Sequence, residues 1–393
     1  MTGEVYVVDA VRTKTGRYGG ALSEVRPDDL AARTVGSLME RSPGLDPGQV
    51  DDVLFGNSNG AGEENRNVAR MAVLLAGLPV HVPGATVNRL CGSGMEAAVA
   101  ANRAIAVGDA SICVAGGVES MSRAPWVVQK PEAGFQRTDQ PMVSTTLGWR
   151  LVNSEMPAEW TVSLGEGAEL LAREYDISRD AQDRFAVESH RRAAAAWERG
   201  AYDDETIEVG GVELERDEPI RPDTSVEKLA KLKPAFRSDG SVTAGNSSPL
   251  NDGAAALLLA DEAGVEAIGR DPLARIVSRG LHAVDPPHYG VAPVEAANQA
   301  LKRAGIGWGD IEVTELNEAF AAQALACVSA WGEVDTERLN VNGGAVALGH
   351  PIGCSGARIL ATLSWELRRR GGMGLGALCI GVGQGIAMVL EAA

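Results

Sequence analysis

Residues 91–94 read CGSG and residues 353–356 read GCSG, and the chain after each repeats one plan. After the first come MEAAVAANRAIA (95–106), small and apolar without an interrupting glycine or proline, and then the short apolar run ASICVAGG (110–117). After the second come ARILATLSWELRRR (357–370) and GALCIGVGQG (376–385). Each reads as a glycine-rich turn, a helix and a buried strand, so a duplicated α/β fold is expected. Working outward, EVYVVDA (4–10), DDVLFGN (51–57), AAALLLA (254–260), ARIVSRG (274–280) and IEVTELN (311–317) read as further strands between helix-like segments. Such alternation implies a mostly parallel sheet covered by helices. The end, ALCIGVGQGIAMVLE (377–391), resembles two apolar strands around a glycine turn.

Between about Glu119 and Val242 the pattern changes to a polar, proline-dotted stretch with two strong helical candidates, EGAELLAREYD (166–176) and SRDAQDRFAVESHRRAAAAWERG (178–200). We read it as an inserted loop domain. The expected organisation is an N-terminal α/β domain from residues 1–120 and 250–271, a loop domain over 121–249, and a C-terminal α/β domain over 272–393.

The chain of 393 residues exceeds what one hydrophobic core usually serves. Its 47 glycines and few aromatic residues suit closely packed backbones and tight turns. A formal net charge of -17 argues against nucleic acid and anionic membranes as partners. The opening MTGEVYVVDAVRT lacks a basic leader with an apolar core, and no apolar stretch is long enough to span a bilayer, so a cytoplasmic location is expected. The five cysteines form no CxxC pair and have no histidines at ligand spacing, so neither a disulfide framework nor a metal site is expected.

Individual thiols are the more natural chemistry. Cys91 stands where an extended run meets a helix; the helix N-terminus favours thiolate and can hold a developing oxyanion. The competing reading is a small buried core residue, the commonest fate of a free cysteine. His350, in NVNGGAVALGHPIGCSGAR (340–358), is fixed by glycines and Pro351 in a loop before a helix, a setting that suits a general base. A histidine bonding loop carbonyls is the bland alternative. Cys379 ends a strand and enters GVGQG, so its thiol is expected at a sheet edge, placed for proton transfer, against the alternative of a buried strand cysteine. Asn317 and Glu318 put an amide and a carboxylate at a strand's end, where α/β sheets build sites, although Asn317 also suits a helix cap. Cys113 and Cys327 read as core residues, and Cys354 occupies a glycine-rich turn like that of Cys91, which makes it a decoy.

Together NRLCGSG (88–94), AGGVESMSRAP (115–125), TAGNSSPLNDGAAA (243–256), ELNEAFA (315–321), GGAVALGHPIGCSGAR (343–358) and CIGVGQG (379–385) resemble the thiolase family, from about residue 4 to the C-terminus. The resemblance implies a five-layered α-β-α-β-α core with the loop domain over a coenzyme A site, and a homodimer or homotetramer. It implies that Cys91 is the acylated nucleophile, that His350 activates it, and that Cys379 exchanges a proton with the α-carbon of acetyl-CoA. It further implies two oxyanion holes, one from His350 with a water held by Asn317, the other from the N–H groups of Cys91 and Gly381. Coenzyme A enters as substrate, with no permanently bound cofactor, and its contacts are implied at Arg221, Lys228, Leu229, Phe236, Ala244 and Ser248, and at Ala319 and Phe320. Without the family, RPDTSVEKLAKLKPAF (221–236) would read as a solvated basic face.

Within the family, acetoacetyl-CoA thiolases carry a His-Met pair where this chain has Ser163 and Leu164, in TVSLGEGAELLA (161–172). GEENRNVARMAVLLAGLP (62–79), TTLGWRLVN (145–153) and ERDEPIRPDTSVEKLAKLKP (215–234) are most similar to members acting on 3-oxoadipyl-CoA. That substrate has a distal carboxylate, for which Arg150 or Arg123 is the expected partner. The alternatives are a broad fatty 3-ketoacyl-CoA thiolase or acetyl-CoA acetyltransferase, and, from another class, a silent CoA-thioester binding protein. Cys91, Asn317, His350 and Cys379 together argue against the last, and Cys379 against a decarboxylating condensing enzyme.

Overall fold

In the computed structural model, which describes residues 3–131 and 134–393, each half of the chain lays down the same succession of elements. The first half runs β1 (Tyr6–Thr13), α1 (Pro27–Arg41), β2 (Asp52–Gly56), α2 (Val68–Leu75), β3 (Gly84–Val87), α3 (Ser93–Val107) and β4 (Ile112–Ser120). The chain then leaves the sheet for a long excursion holding α4 (Leu164–Glu174) and α5 (Arg179–Glu198), and returns as β5 (Asn251–Ala260). The second half runs β6 (Ala274–Ala283), α6 (Ala292–Ala304), β7 (Ile311–Leu316), α7 (Ala321–Trp331), α8 (Ser355–Arg370), β8 (Met373–Ile380) and β9 (Gln384–Ala392).

The strands order as β3-β2-β4-β5-β1 in the first half and β7-β8-β9-β6 in the second, and a short antiparallel contact (Tyr6↔Arg275, Val7↔Ala274) joins them edge to edge. Leaving out β3, the two halves superpose in order and direction: β2 and β7 run parallel to β4 and β8, and the next pairs are antiparallel. The duplication expected from the two glycine-rich turns is therefore present. The expected mostly parallel sheet is not: only β2–β3, β2–β4 and β7–β8 among these pairs are parallel. A strand buried on both faces shows the same continuous apolar run whichever way it points, so composition does not report direction.

Five layers result. α1 and α2 pack through Leu30, Val35, Leu38, Val68 and Val73 on one face of the first sheet. α3 and α8 lie between the two sheets, with Met95, Ile105, Ile359 and Leu363 sharing one core with Leu257 and Leu259 of β5 and Leu378 of β8. α6 and α7 cover the outer face of the second sheet through Ala296, Ala300, Leu301 and Ala324. The central helices touch at backbone distance: a Cβ on Gly94 would lie 2.7 Å from Ala357 N, and one on Gly356 would lie 2.3 Å from Met95 N. The glycines of CGSG and GCSG are thus reciprocal, each making room for the other helix. This crossing brings the turns that open α3 and α8, and the end of β8, to one side of the molecule.

Candidate active site

Cys91 sits in a single 3-10 turn, Leu90–Gly92, between β3 and α3. To make that turn Leu90 takes a left-handed backbone conformation, φ 46°, which is uncommon outside glycine. A Cβ on Gly92 would come within 2.5 Å of Ile380, so the turn lies directly against the end of β8. Cys379 is the next-to-last residue of that strand. It is fully buried, and β8 is flanked by β7 and β9, so the thiol lies at a strand end inside the sheet rather than at the expected sheet edge. The hairpin after it turns through Val382 (φ 65°) and Gly383 (φ 76°).

His350 follows a short helix, Ala345–Leu348, and precedes α8. Its Nδ1 lies 2.6 Å from Ser355 Oγ, and that oxygen lies 2.9 Å from Pro351 O. A carbonyl only accepts, so the Ser355 hydroxyl donates to Pro351 and accepts from Nδ1–H. Nε2 is left with its lone pair, 3.5 Å from Asn317 Nδ2. Asn317, just past β7, is anchored by its own N–H to Ala377 O, and its Oδ1 is buried with no hydrogen-bond partner among the described residues. Glu318 turns the other way: Ser189 Oγ, Asn340 Nδ2 and Val346 N–H all donate to it, fixing the segment that leads to His350.

Cys91, His350, Cys379 and Gly381 meet in one narrow cavity of about 60 Å³. Ser248, Ala319, Phe320 and Leu164 also line it, and among the described residues no Arg, Lys, Asp or Glu side chain does. Burial pushes the Cys91 thiol up to about 11, although the N–H groups of Gly381 and of Cys91 itself hydrogen-bond the sulfur and pull the other way. The expectation that the helix end would favour thiolate is thus overturned for the free site, because desolvation outweighs the backbone dipoles. Burial likewise lowers His350 to about 4 and lifts Cys379 well above the usual thiol value, with Cys91 nearby adding to the rise. All three groups are therefore neutral around pH 7.

The other expected residues divide. Phe236 stands outside the cavity with its ring edge-on to Phe320, centroids 6.0 Å apart. Leu229 is buried against Gly245, while Arg221 and Ala244 are exposed. Lys228 Nζ is engaged by Asp223, 2.5 Å away. Arg123 is committed to Glu63, at 2.5 and 2.7 Å, in a separate surface pocket, which removes it as a partner for a carboxylate in this cavity. Arg150 is half-buried, without an ion pair among the described residues, three positions beyond cavity-lining Leu147. Cys113, Cys327 and Cys354 are core residues. Sequence reasoning missed Tyr289, whose hydroxyl donates to Leu164 O across the cavity wall (2.9 Å). It also gave no role to Met121, Leu250 and Ile352, although each falls inside a segment that carried the resemblance.

Two family models match the chain: "Thiolase, N-terminal domain" over residues 5–263 and "Thiolase, C-terminal domain" over residues 270–392. The chain belongs to the thiolase family. It is an acyltransferase. As a thiolase it is 48% identical over 400 residues to a beta-ketoadipyl-CoA thiolase of Pseudomonas aeruginosa, covering 100% of each chain. It is 51% identical over 398 residues to a 3-oxoadipyl-CoA/3-oxo-5,6-dehydrosuberyl-CoA thiolase of Escherichia coli, covering 99% of each. Among solved structures, human mitochondrial 3-ketoacyl-CoA thiolase in complex with CoA matches with a TM-score of 0.92 at 39% identity, over 100% of this chain and 98% of that one. An acetyl-CoA acetyltransferase of Bacillus anthracis matches with a TM-score of 0.92 at 40% identity, over 100% and 99%. No helix is long and apolar enough to cross a membrane among the described residues.

Proposed function

We propose that this thiolase cleaves 3-oxoadipyl-CoA with free coenzyme A, giving acetyl-CoA and succinyl-CoA, through an acyl group carried on Cys91. The mechanism rests on the convergence of Cys91, His350 and Cys379 on one narrow cavity, and the substrate on the full-length similarity to proteins of that name. His350 Nε2 takes the Cys91 proton as the sulfur attacks the 3-keto carbon, and the new N–H then faces the developing oxyanion. The unpartnered Oδ1 of Asn317 suits a water completing that hole. The C2–C3 bond breaks, its electron pair stays on the acetyl-CoA enolate, and the Cys379 thiol protonates the carbon. Free CoA gives its thiol proton to the Cys379 thiolate and its sulfur takes the succinyl group from Cys91, forming succinyl-CoA, while the leaving Cys91 sulfur recovers the proton held on His350. On this reading the N–H groups of Cys91 and Gly381, whose interaction with the thiol opposes its burial, supply the donors for the acyl-enzyme's oxyanion. Removing one such donor typically costs about a hundredfold or more in rate.

Coenzyme A lies, on this reading, along the loops bearing Arg221, Lys228, Leu229, Phe236, Ala244 and Ser248 toward Ala319 and Phe320. The working form is a homodimer or homotetramer in the cytoplasm. One observation favours a broader 3-ketoacyl-CoA thiolase as the second reading: the cavity lining holds no cationic side chain to meet a distal carboxylate. Loss of the enolate absorbance of 3-oxoadipyl-CoA and of acetoacetyl-CoA, with CoA present, separates the two. We expect strong preference for 3-oxoadipyl-CoA, weakened in Arg150→Ala, and no turnover in Cys91→Ala or Cys379→Ala. Equal rates on both substrates would support the broader enzyme, and turnover by either cysteine variant would refute the mechanism.

A further inference from the structure

The loop that carries His350 belongs to the second half of the chain, and Cys91 belongs to the first. Two side chains of the first half grip that loop at its two ends. At one end, the His350 N–H donates to Asn251 Oδ1 (2.9 Å), while Asn251 Nδ2 donates to Gly16 O (2.9 Å). At the other, the Gly353 N–H donates to Glu119 Oε2 (2.8 Å), which also accepts from Ser58 N–H (3.0 Å) and Ser58 Oγ (2.6 Å). Glu119 is 2% exposed and Asn251 0%. Each grip closes on a glycine of the loop. A Cβ on Gly349, which has φ 96°, would lie 2.6 Å from Asn251 Cγ, and one on Gly353 would lie 2.8 Å from Glu119 Oε2. The segments AGGVESMSRAP and TAGNSSPLNDGAAA thus each supply a buried polar side chain that holds the loop without itself lining the reactive cavity.

We propose that Glu119 and Asn251 are positioning residues that clamp the His350 loop to the half of the molecule bearing Cys91, fixing the imidazole in register with the thiol. The inference rests on the roles proposed for Cys91 and His350. The span from grip to grip, His350 to Gly353, is four residues long and begins at the imidazole itself, so releasing either end frees His350 to drift. A displacement of about 1 Å in such a group lowers turnover by about a hundredfold. Neither Glu119 nor Asn251 lines the cavity, so the Michaelis constant for CoA is expected to be insensitive to the clamp.

The hydrogen bonds from Gly353 N–H, Ser58 N–H and Ser58 Oγ all fall on Oε2, so an amide oxygen there preserves them. Steady-state kinetics of the folded full-length enzyme are measured for wild type, E119A, E119Q, N251A and N251D, with C91A and H350A as references. The expected result is a kcat about a hundredfold lower in E119A and N251A. KM for CoA stays within about threefold, and E119Q is restored to within about tenfold of wild type, whereas N251D, which keeps the acceptor for the His350 N–H but sets a carboxylate against Gly16 O, is not. A kcat in folded E119A within about threefold of wild type overturns the clamp. So does a loss expressed in KM alone, or an E119Q as impaired as E119A. Should E119A not fold, the kcat and KM of folded N251A decide by the same thresholds. Activity surviving in C91A or H350A sinks the proposed roles themselves, whereas inactivity there with a normal kcat in folded E119A and N251A sinks only the clamp.

Discussion

Cys91 and His350 stand in the cavity as neutral groups, the thiol raised to about 11 and the imidazole lowered to about 4. A preformed thiolate–imidazolium pair is therefore absent from the free site, and the proton has to move while the sulfur attacks. The gain is an imidazole that stays unprotonated, and so able to accept, far below its ordinary range. Protonation removes the base, so activity falls as pH drops through the folded-state value and not before. The expected profile of kcat/KM is flat between 6.5, the ordinary histidine value, and about 4, where the acid limb begins. A limb centred near 6.5 that disappears when His350 is replaced would show a solvated imidazole instead. Leu164 belongs to the same scale. It replaces the methionine of the His-Met pair, lines the cavity, and is held by Tyr289 through its carbonyl. Ser163 caps α4, its hydroxyl accepting from the Glu166 N–H, and is not among the residues that line the cavity.

At the scale of elements, the crossing of α3 and α8 decides where the two halves of the site meet. A Cβ on Gly94 strikes the backbone of α8, which a rotamer change cannot relieve. Gly94→Ala is expected to lower the unfolding free energy by about 1–3 kcal/mol. Gly36→Ala in α1, where a Cβ meets nothing within 4 Å, is expected to raise it by about 0.5–1 kcal/mol. Denaturant titration of both variants checks the contrast, and equal effects would refute the packing argument. These glycines were legible in sequence because CGSG and GCSG repeat the same requirement in both halves. Strand direction was not legible, since the apolar runs of β4, β5 and β8 look alike whether their neighbours are parallel or antiparallel. The position of Cys379 failed for the same reason: a strand end is visible in sequence, but which strands flank it is set by contacts between residues far apart in the chain.

At the scale of the whole molecule, the candidate site is shared between duplicated halves, with Cys91 supplied by the first and His350 and Cys379 by the second. The residues of that site were readable because each sits in a glycine-marked turn with its own local signature. The cavity wall was less so: Tyr289 comes from a loop with no comparable marker, and only the tertiary fold turns its ring toward the cysteines. Arg123 shows the converse, a cation at a promising place in sequence that the fold pairs with Glu63 elsewhere. The account stands or falls on which sulfur carries the acyl group. The enzyme is mixed with 3-oxoadipyl-CoA without added CoA, quenched in acid, digested and read by mass spectrometry. A succinyl group on the peptide containing Cys91, discharged by added CoA and absent from Cys91→Ala, is the predicted result. Acetyl-CoA release with the acyl group on Cys354 or Cys379, or on no cysteine, would contradict it.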